Sequence, residues 1–162
     1  MNGLLRLYLK NEDMWEYRST AGAHTCTWRH RRNINETHVV LQTKYESSGK
    51  AVVFNTDTWK FFTSTTSTPY EMVLYFSAHY YLTEELLSVN EKWTCAVIKR
   101  TTVTSYGKPR TTYKDYKYYL YTSITNPVKA AKECQEKYFH YATHGDAQHY
   151  KTKCRIVQGK CS

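Results

Sequence analysis

The chain has 162 residues, of which 41% are hydrophobic and 23% are charged. This length fits one domain, and this balance excludes a disordered chain, while no segment reaches the ~20 apolar residues of a membrane-spanning helix. The formal net charge of +9 raises affinity for anionic partners but does not specify a fold. Tyrosine is unusually frequent, with 16 residues, and threonine is also common. Both residue types favour strands.

Apolar and polar side chains alternate from about residue 4 to residue 122, the pattern of strands with one buried face. Turn residues divide this region at Ser47–Lys50 and at the hairpin turn Ser105–Pro109. Thr63–Pro69 is predicted to be a loop that ends at proline. We predict about eight strands, in the segments 26–31, 39–45, 52–54, 59–62, 70–76, 80–87, 93–104 and 110–123.

The densest basic run is Arg29–Arg32. We interpret it as the solvated end of a strand. No nucleic-acid-binding motif accompanies it, so we do not predict a nucleic-acid partner from this run.

The period changes to that of a helix after the last strand. Asn126 suits the N-cap position and Pro127 the first helical position, and Gly145 supplies a stop. We predict one amphipathic helix over about 127–144 and a tail over 145–162. A closed antiparallel barrel with this helix packed outside removes exposed strand edges. The predicted fold is therefore mainly β, a single domain over 1–162 whose barrel spans about 4–123.

Five cysteines are dispersed without a Cys-x-x-Cys pair. This spacing favours long-range disulfides in an oxidising compartment, with buried free thiols in a cytosolic protein as the alternative. The sequon at Asn35 is a candidate glycosylation site in a secreted protein. Segment 4–9 is too short for the core of a signal peptide, so we expect a secreted protein whose leader is absent from this chain.

No sequence motif for catalysis is present: Gly-x-Ser-x-Gly, a phosphate-binding loop and His-Glu-x-x-His do not occur. The group His140, His144, Asp146 and His149 has a spacing that could bind a metal, but a polar helix terminus explains it as well. We predict that the protein is not an enzyme and has no cofactor or resident metal.

Several segments, in order, resemble the tick salivary lipocalins, the group that includes the histamine-binding proteins. No single motif is decisive, but the ordered combination runs from Leu4 to Cys161. The resembling segments are Asn11–Thr20, Cys26, Asn33–Thr37, Glu84–Leu87 followed by Cys95–Lys99, Tyr118–Tyr121, Cys134–Phe139 and Cys154.

The resemblance implies an eight-stranded antiparallel lipocalin barrel with the disulfides Cys26–Cys154 and Cys95–Cys134. Cys161 is then left over, as a free thiol, as the link of a dimer, or as the partner of a cysteine lost from a truncated N-terminus. The implied function is the sequestration of a small host mediator, in evasion of inflammatory and immune defence.

A ligand inside such a barrel requires an aromatic lining with a few polar groups. The candidate ligand-binding residues are Trp15, Tyr17, Trp28, Tyr45, Glu71, Phe76, Tyr80, Tyr119 and Tyr121. Histamine binders resemble one another in two acids, one after the strand cysteine and one in the aromatic strand, where this chain has Ala96 and Tyr119. The expected cavity is more neutral, which leaves a biogenic amine and a lipid, sterol or fatty acid both open.

Two alternatives belong to other classes. One is an immunomodulator that binds a host protein through its basic surface, with the barrel as a scaffold. The other is an OB-like nucleic-acid binder that stacks bases on tyrosines.

Overall fold

Eight antiparallel strands close into a barrel, as the alternation predicts. The computed structural model describes residues 2–62 and 71–156, so the predicted loop at Thr63–Pro69 and Cys161 lie outside the described residues. Each strand pairs with the next, and β1 closes the barrel by pairing with both β8 and β2. The strands are β1 Asp13–Ser19, β2 Thr27–Ile34, β3 His38–Ser47, β4 Lys50–Phe61, β5 Glu71–Ser77, β6 Tyr80–Val89, β7 Cys95–Tyr106 and β8 Thr111–Ser123.

The strand bounds differ from the prediction mainly in β4. The two short runs predicted at 52–54 and 59–62 are one strand, because the polar residues between them continue the pairing with β3. A short strand, β9 (Ala147–Gln148), adds to the outer edge of β1. The connections 20–26, 48–49, 78–79 and 107–110 lie at one end of the barrel, here called the open end; 35–37 and 90–94 lie at the closed end.

A helix that the sequence analysis did not predict, α1 (Gly3–Lys10), covers the closed end. The Asn2 side chain accepts hydrogen bonds from the amides of Leu4 and Leu5 and so caps its first turn. Leu4, Leu7 and Tyr8 are buried at helical spacing against the barrel interior. The prediction of a barrel starting at residue 4 was therefore wrong, because a segment this short fits both periods.

The predicted C-terminal helix is present as α2 (Pro127–Tyr141) and packs on the outside of the barrel. It ends before the predicted stop at Gly145. Asn126 occupies the N-cap position, but its side chain makes no capping hydrogen bond.

Both implied disulfides are present in the structure. Cys95–Cys134 joins β7 to α2, and Cys26–Cys154 joins the start of β2 to the C-terminal segment. Both bonds lie in a hydrophobic layer between the outer barrel wall and α2, separate from the cluster that fills the barrel interior. They therefore tie the helix and tail to the wall.

Candidate ligand-binding cavity

The barrel interior is filled at the closed end and hollow at the open end. Side chains of α1 and of the inner strand faces pack the closed half. A cavity of about 380 Å³ remains above them, which is the size of a small-molecule site. Its lining comprises Glu16, Ala21, Gly22, Ala23, His24, Thr27, Thr43, Tyr45, Phe54, Asn55, Arg100, Tyr119 and Tyr121.

A buried ionic group crosses the barrel between the two halves. Arg29 donates two hydrogen bonds to the two carboxylate oxygens of Glu84, at 2.8 and 3.0 Å. Arg100 donates to the same carboxylate from Nε and Nη2, at 2.9 and 2.6 Å. Burial alone would raise the pKa of Glu84, but the two guanidinium groups lower it to about 2. Glu84 is therefore ionised at any working pH.

Aromatic rings enclose the two arginines of this group. The Arg29 guanidinium lies 5.2 Å from the ring centre of Tyr121, and that of Arg100 lies 4.7 Å from Tyr119. Trp59 contacts both from the opposite wall, at 5.8 and 5.7 Å. These cation–π contacts fix the side chains that form the cavity floor.

Glu16 is the unusual group of the cavity. It lies opposite Tyr121 in the β1–β8 ladder and is only 7% exposed. Its Oε2 atom is buried and has no hydrogen-bond partner among the described residues. Burial raises the pKa of this carboxyl to about 7, although the charges of Arg100 and Arg29 act to lower it. Near neutral pH the carboxyl is thus poised between its two protonation states.

Asp57 is a further carboxyl inside the barrel. It pairs with Leu41, whose side chain is in the interior cluster, so Asp57 is on the inner face. Burial raises its pKa, while Arg29 and Arg100 lower it. Arg31 also pairs with Leu41, from β2, and so lies on the inner face as well. With all groups ionised, Arg29, Arg31 and Arg100 balance Glu16, Asp57 and Glu84.

A scan against models of protein families finds no match, and no curated protein is significantly similar in sequence. Solved structures are similar in fold, and three of them are described here. H1 crustacyanin from the lobster Homarus americanus has a TM-score of 0.55 at 11% identity, covering 87% of this chain and 76% of its own. Siderocalin Q83 has a TM-score of 0.54 at 12% identity, covering 95% and 98%. A bovine odorant-binding protein, a deswapped triple mutant, has a TM-score of 0.50 at 12% identity, covering 89% and 96%.

The fold is a lipocalin barrel. At these identities the likeness establishes the architecture alone. Ala96 and Tyr119 both belong to the interior cluster. The expectation of a more neutral interior differs from the structure, because Arg29, Glu84 and Arg100 place charges there.

Three of the predicted ligand-binding residues, Tyr45, Tyr119 and Tyr121, line the cavity of the lipocalin barrel. Phe76 and Tyr80 lie at the open end, exposed and outside the lining. Glu71 begins β5, and its side chain is outside the described part of the structure.

Trp15, Tyr17 and Trp28 differ from the prediction because they face away from the cavity. They pack in the outer layer beneath α2 and the C-terminal segment, where Trp15 and Tyr17 contact Tyr150. The physical reason is that α2 buries the outer face of β1. Large aromatic residues are therefore needed outside as well as inside.

The sequence analysis did not identify Arg29 and Arg100 as side chains inside the barrel. Arg29 was interpreted as part of a solvated strand end, and it is 4% exposed. The available signal was the alternation: Met14 and Glu16 occupy one face of β1, while Trp15 and Tyr17 occupy the other. We expected aromatic rather than charged side chains to line the cavity, and therefore placed Trp15 and Tyr17 on the inner face of β1.

Other candidate groups have structural partners. Asp146 accepts hydrogen bonds from Arg18 and Tyr138, and His149 is bonded to Ser19. Within residues 2–62 and 71–156, no cluster of three or more potential metal ligands occurs. Asn35 is exposed in the β2–β3 turn, where glycosylation stays a prediction. No helix among the described residues is long and apolar enough to cross a membrane.

Proposed function

We propose that the protein is a secreted binding protein that captures a small cationic aromatic ligand in the cavity, and that its role is binding rather than catalysis. The observation that carries the proposal is the Glu16 carboxyl, which is buried in the cavity wall with one oxygen lacking a hydrogen-bond partner among the described residues. A buried unpaired acceptor destabilises a fold. A ligand that donates a charged hydrogen bond to it offsets that cost.

Charge and aromatic groups favour an amine. An ionised Glu16 places a carboxylate in the cavity wall, with one oxygen that has no partner among the described residues. Tyr119 and Tyr121 stack beside it, with ring centres 5.6 Å apart. At the rim, His24 stacks on Tyr45 at 3.9 Å. Aromatic faces next to a carboxylate form a favourable site for an ammonium group.

The polarity of the cavity disfavours the lipid alternative. Nine of the thirteen lining residues carry polar side chains, and only Ala21, Gly22, Ala23 and Phe54 do not. An alkyl chain would offer no donor to the Glu16 oxygen that lacks a partner among the described residues. A compact amine with hydrogen-bonding atoms, such as histamine or serotonin, satisfies more of the polar side chains.

We further propose that the captured amine is a host mediator and that the protein acts in tick saliva to evade host defence. The resemblance to tick salivary lipocalins supports this, as do the two disulfides, which suit an extracellular compartment. Among the structural neighbours, one is a bovine odorant-binding protein, and the work on siderocalin Q83 describes a dual ligand binding mode. Removal of a mediator by binding requires stoichiometric protein rather than turnover.

Isothermal titration calorimetry tests the proposal. Histamine, serotonin and oleate would be titrated into the wild type, into Glu16→Gln and into the control Glu136→Gln on the exposed face of α2. We expect an amine to bind the wild type and the control equally and the Glu16 variant at least tenfold more weakly. Failure of both amines would refute the amine site. Tight oleate binding unaffected by Glu16→Gln would instead support the lipid alternative.

A further inference from the structure

Exposed aromatic side chains are concentrated at the open end of the barrel. Phe54 is 66% exposed and Phe76 is 53% exposed, and a concentration of exposed apolar side chains marks an interaction site. Together with three tyrosines on the neighbouring hairpins they form a set that we call the aromatic collar. The aromatic collar comprises Phe54, Phe76, Tyr80, Tyr106 and Tyr113.

The aromatic collar is ordered by contacts between its own members. Phe76 stacks on Tyr80 with ring centres 4.8 Å apart, and Tyr106 stacks on Tyr113 at 4.7 Å. The two hairpins are joined at their tips, since Ser105 donates its amide to the His79 carbonyl at 2.8 Å. Binding a partner here would therefore order few additional side chains.

Basic residues accompany the aromatic collar. The open-end segments 20–26, 44–54, 75–81 and 104–116 contain five cations and two acids, a net charge of +3. The described closed-end segments 9–13, 32–38, 60–62 and 88–94 contain four cations and four acids, a net charge of zero. The positive charge is thus polarised toward the end that carries the aromatic collar.

From this combination we propose that the open end docks onto the surface of an anionic phospholipid bilayer. The hairpin tips all lie at one end of the barrel, so a flat target contacts them together. Aromatic side chains partition into the headgroup region, and lysines next to them pair with lipid phosphates and carboxylates.

The cations also argue against a protein as the partner. Four of the five are lysines, Lys44, Lys50, Lys108 and Lys114, with Arg110 the exception. Protein–protein interfaces are depleted in lysine and enriched in arginine. The lysine content of this surface fits a lipid headgroup layer better. This proposal does not depend on the ligand in the cavity.

Vesicle flotation tests the proposal with two lipid compositions, pure phosphatidylcholine and 70:30 phosphatidylcholine to phosphatidylserine. The aromatic variant is Phe76→Ser with Tyr106→Ser, and its control is Phe139→Ser on α2, a phenylalanine 42% exposed. The charge variant is Lys108→Gln with Lys114→Gln, and its control is Lys132→Gln with Lys137→Gln, both on the exposed face of α2.

We expect binding to the phosphatidylserine vesicles in 0.05 M salt and its loss in 0.5 M salt. Replacing Lys108 or Lys114 should weaken vesicle binding about fivefold for each lysine. The two aromatic substitutions together should weaken it at least tenfold, and both controls should bind like the wild type. Hydrogen exchange should slow in the 76–80 and 106–113 hairpins when vesicles are added. That measurement reads the surface in the wild-type protein, independently of any variant.

Three results would overturn the proposal. The first is no binding to either vesicle at low salt. The second is binding that the aromatic variant leaves unchanged, which would show adsorption by charge alone. The third is heparin binding, lost in the charge variant, without vesicle binding, which would identify a soluble polyanion as the partner.

Discussion

Replacing Glu16 with glutamine should stabilise the empty protein above neutral pH. Burial raises the pKa of the carboxyl from 4.5 to about 7, so between these values the folded state keeps a proton that the unfolded state has lost. The free energy of unfolding therefore falls as pH rises from 4.5 to 7. One pKa unit corresponds to about 1.4 kcal/mol, so the full cost at pH 8 is about 3 kcal/mol. Glutamine does not ionise and escapes this cost.

The buried glutamine amide has a desolvation cost of its own, which reduces the stabilisation from removing the carboxyl. We therefore expect the free energy of unfolding to rise by about 2 kcal/mol at pH 8. For a chain of this length that corresponds to a melting temperature higher by roughly 4–8 °C. The measurement is thermal and urea unfolding of the wild type, Glu16→Gln and the exposed control Glu136→Gln at pH 4.5, 6 and 8. The difference should be small at pH 4.5 and grow with pH.

A difference that stays constant with pH would refute the assignment of a raised pKa to Glu16. So would a variant that is less stable than the wild type at pH 8, since that result means that the ionised carboxylate is well paired inside the barrel. Glu16→Gln should therefore have opposite effects on stability and binding: it stabilises the empty fold and removes the amine site.

Three further predictions concern the floor, the ligand and the cross-links. Glu84→Gln removes the carboxylate shared by the buried Arg29 and the partly buried Arg100 and should cost about 3–5 kcal/mol in urea unfolding. Glu85→Gln, on the outer face of β6, should cost little, and equal costs would contradict the ionic group of Arg29, Glu84 and Arg100. Amine affinity should rise roughly thirtyfold from pH 5.5 to pH 8 as Glu16 ionises, and calorimetry should find this rise absent in Glu16→Gln. Replacing Cys95 and Cys134 by alanine opens a loop of 39 residues and should lower the unfolding free energy by about 4 kcal/mol, provided that α2 still docks.

The strands and the outer helix were predictable because each is long enough to show its period. Thirteen residues of β8 and fifteen of α2 give several repeats each. The eight residues of α1 give about two, and its leucines fit either period. Its helical state depends on the Asn2 cap and on the closed end of the barrel, which its apolar face fills, and the second of these exists only in the folded barrel.

The inner face of β1 was not predictable from hydrophobicity. Four consecutive residues, Met14 to Tyr17, are buried because the cavity lies on one side and α2 on the other. A strand buried on both faces has no polar face to identify the outside. Arg29 shows the same difficulty, because a buried arginine requires a counterion, and Glu84 lies 55 residues away in sequence.

Closure of one barrel end by α1 has a kinetic consequence. In the described part of the chain, the way out of the cavity is through the opposite end, past the segment 20–26. That segment is anchored on both sides: Thr20 Oγ1 accepts from the Tyr118 amide at 2.9 Å, and Cys26 is bonded to Cys154. The barrel therefore has one entrance, bordered by an anchored segment. The residence time of a ligand depends on how often segment 20–26 moves aside, so reducing Cys26–Cys154 should accelerate ligand dissociation more than it changes association.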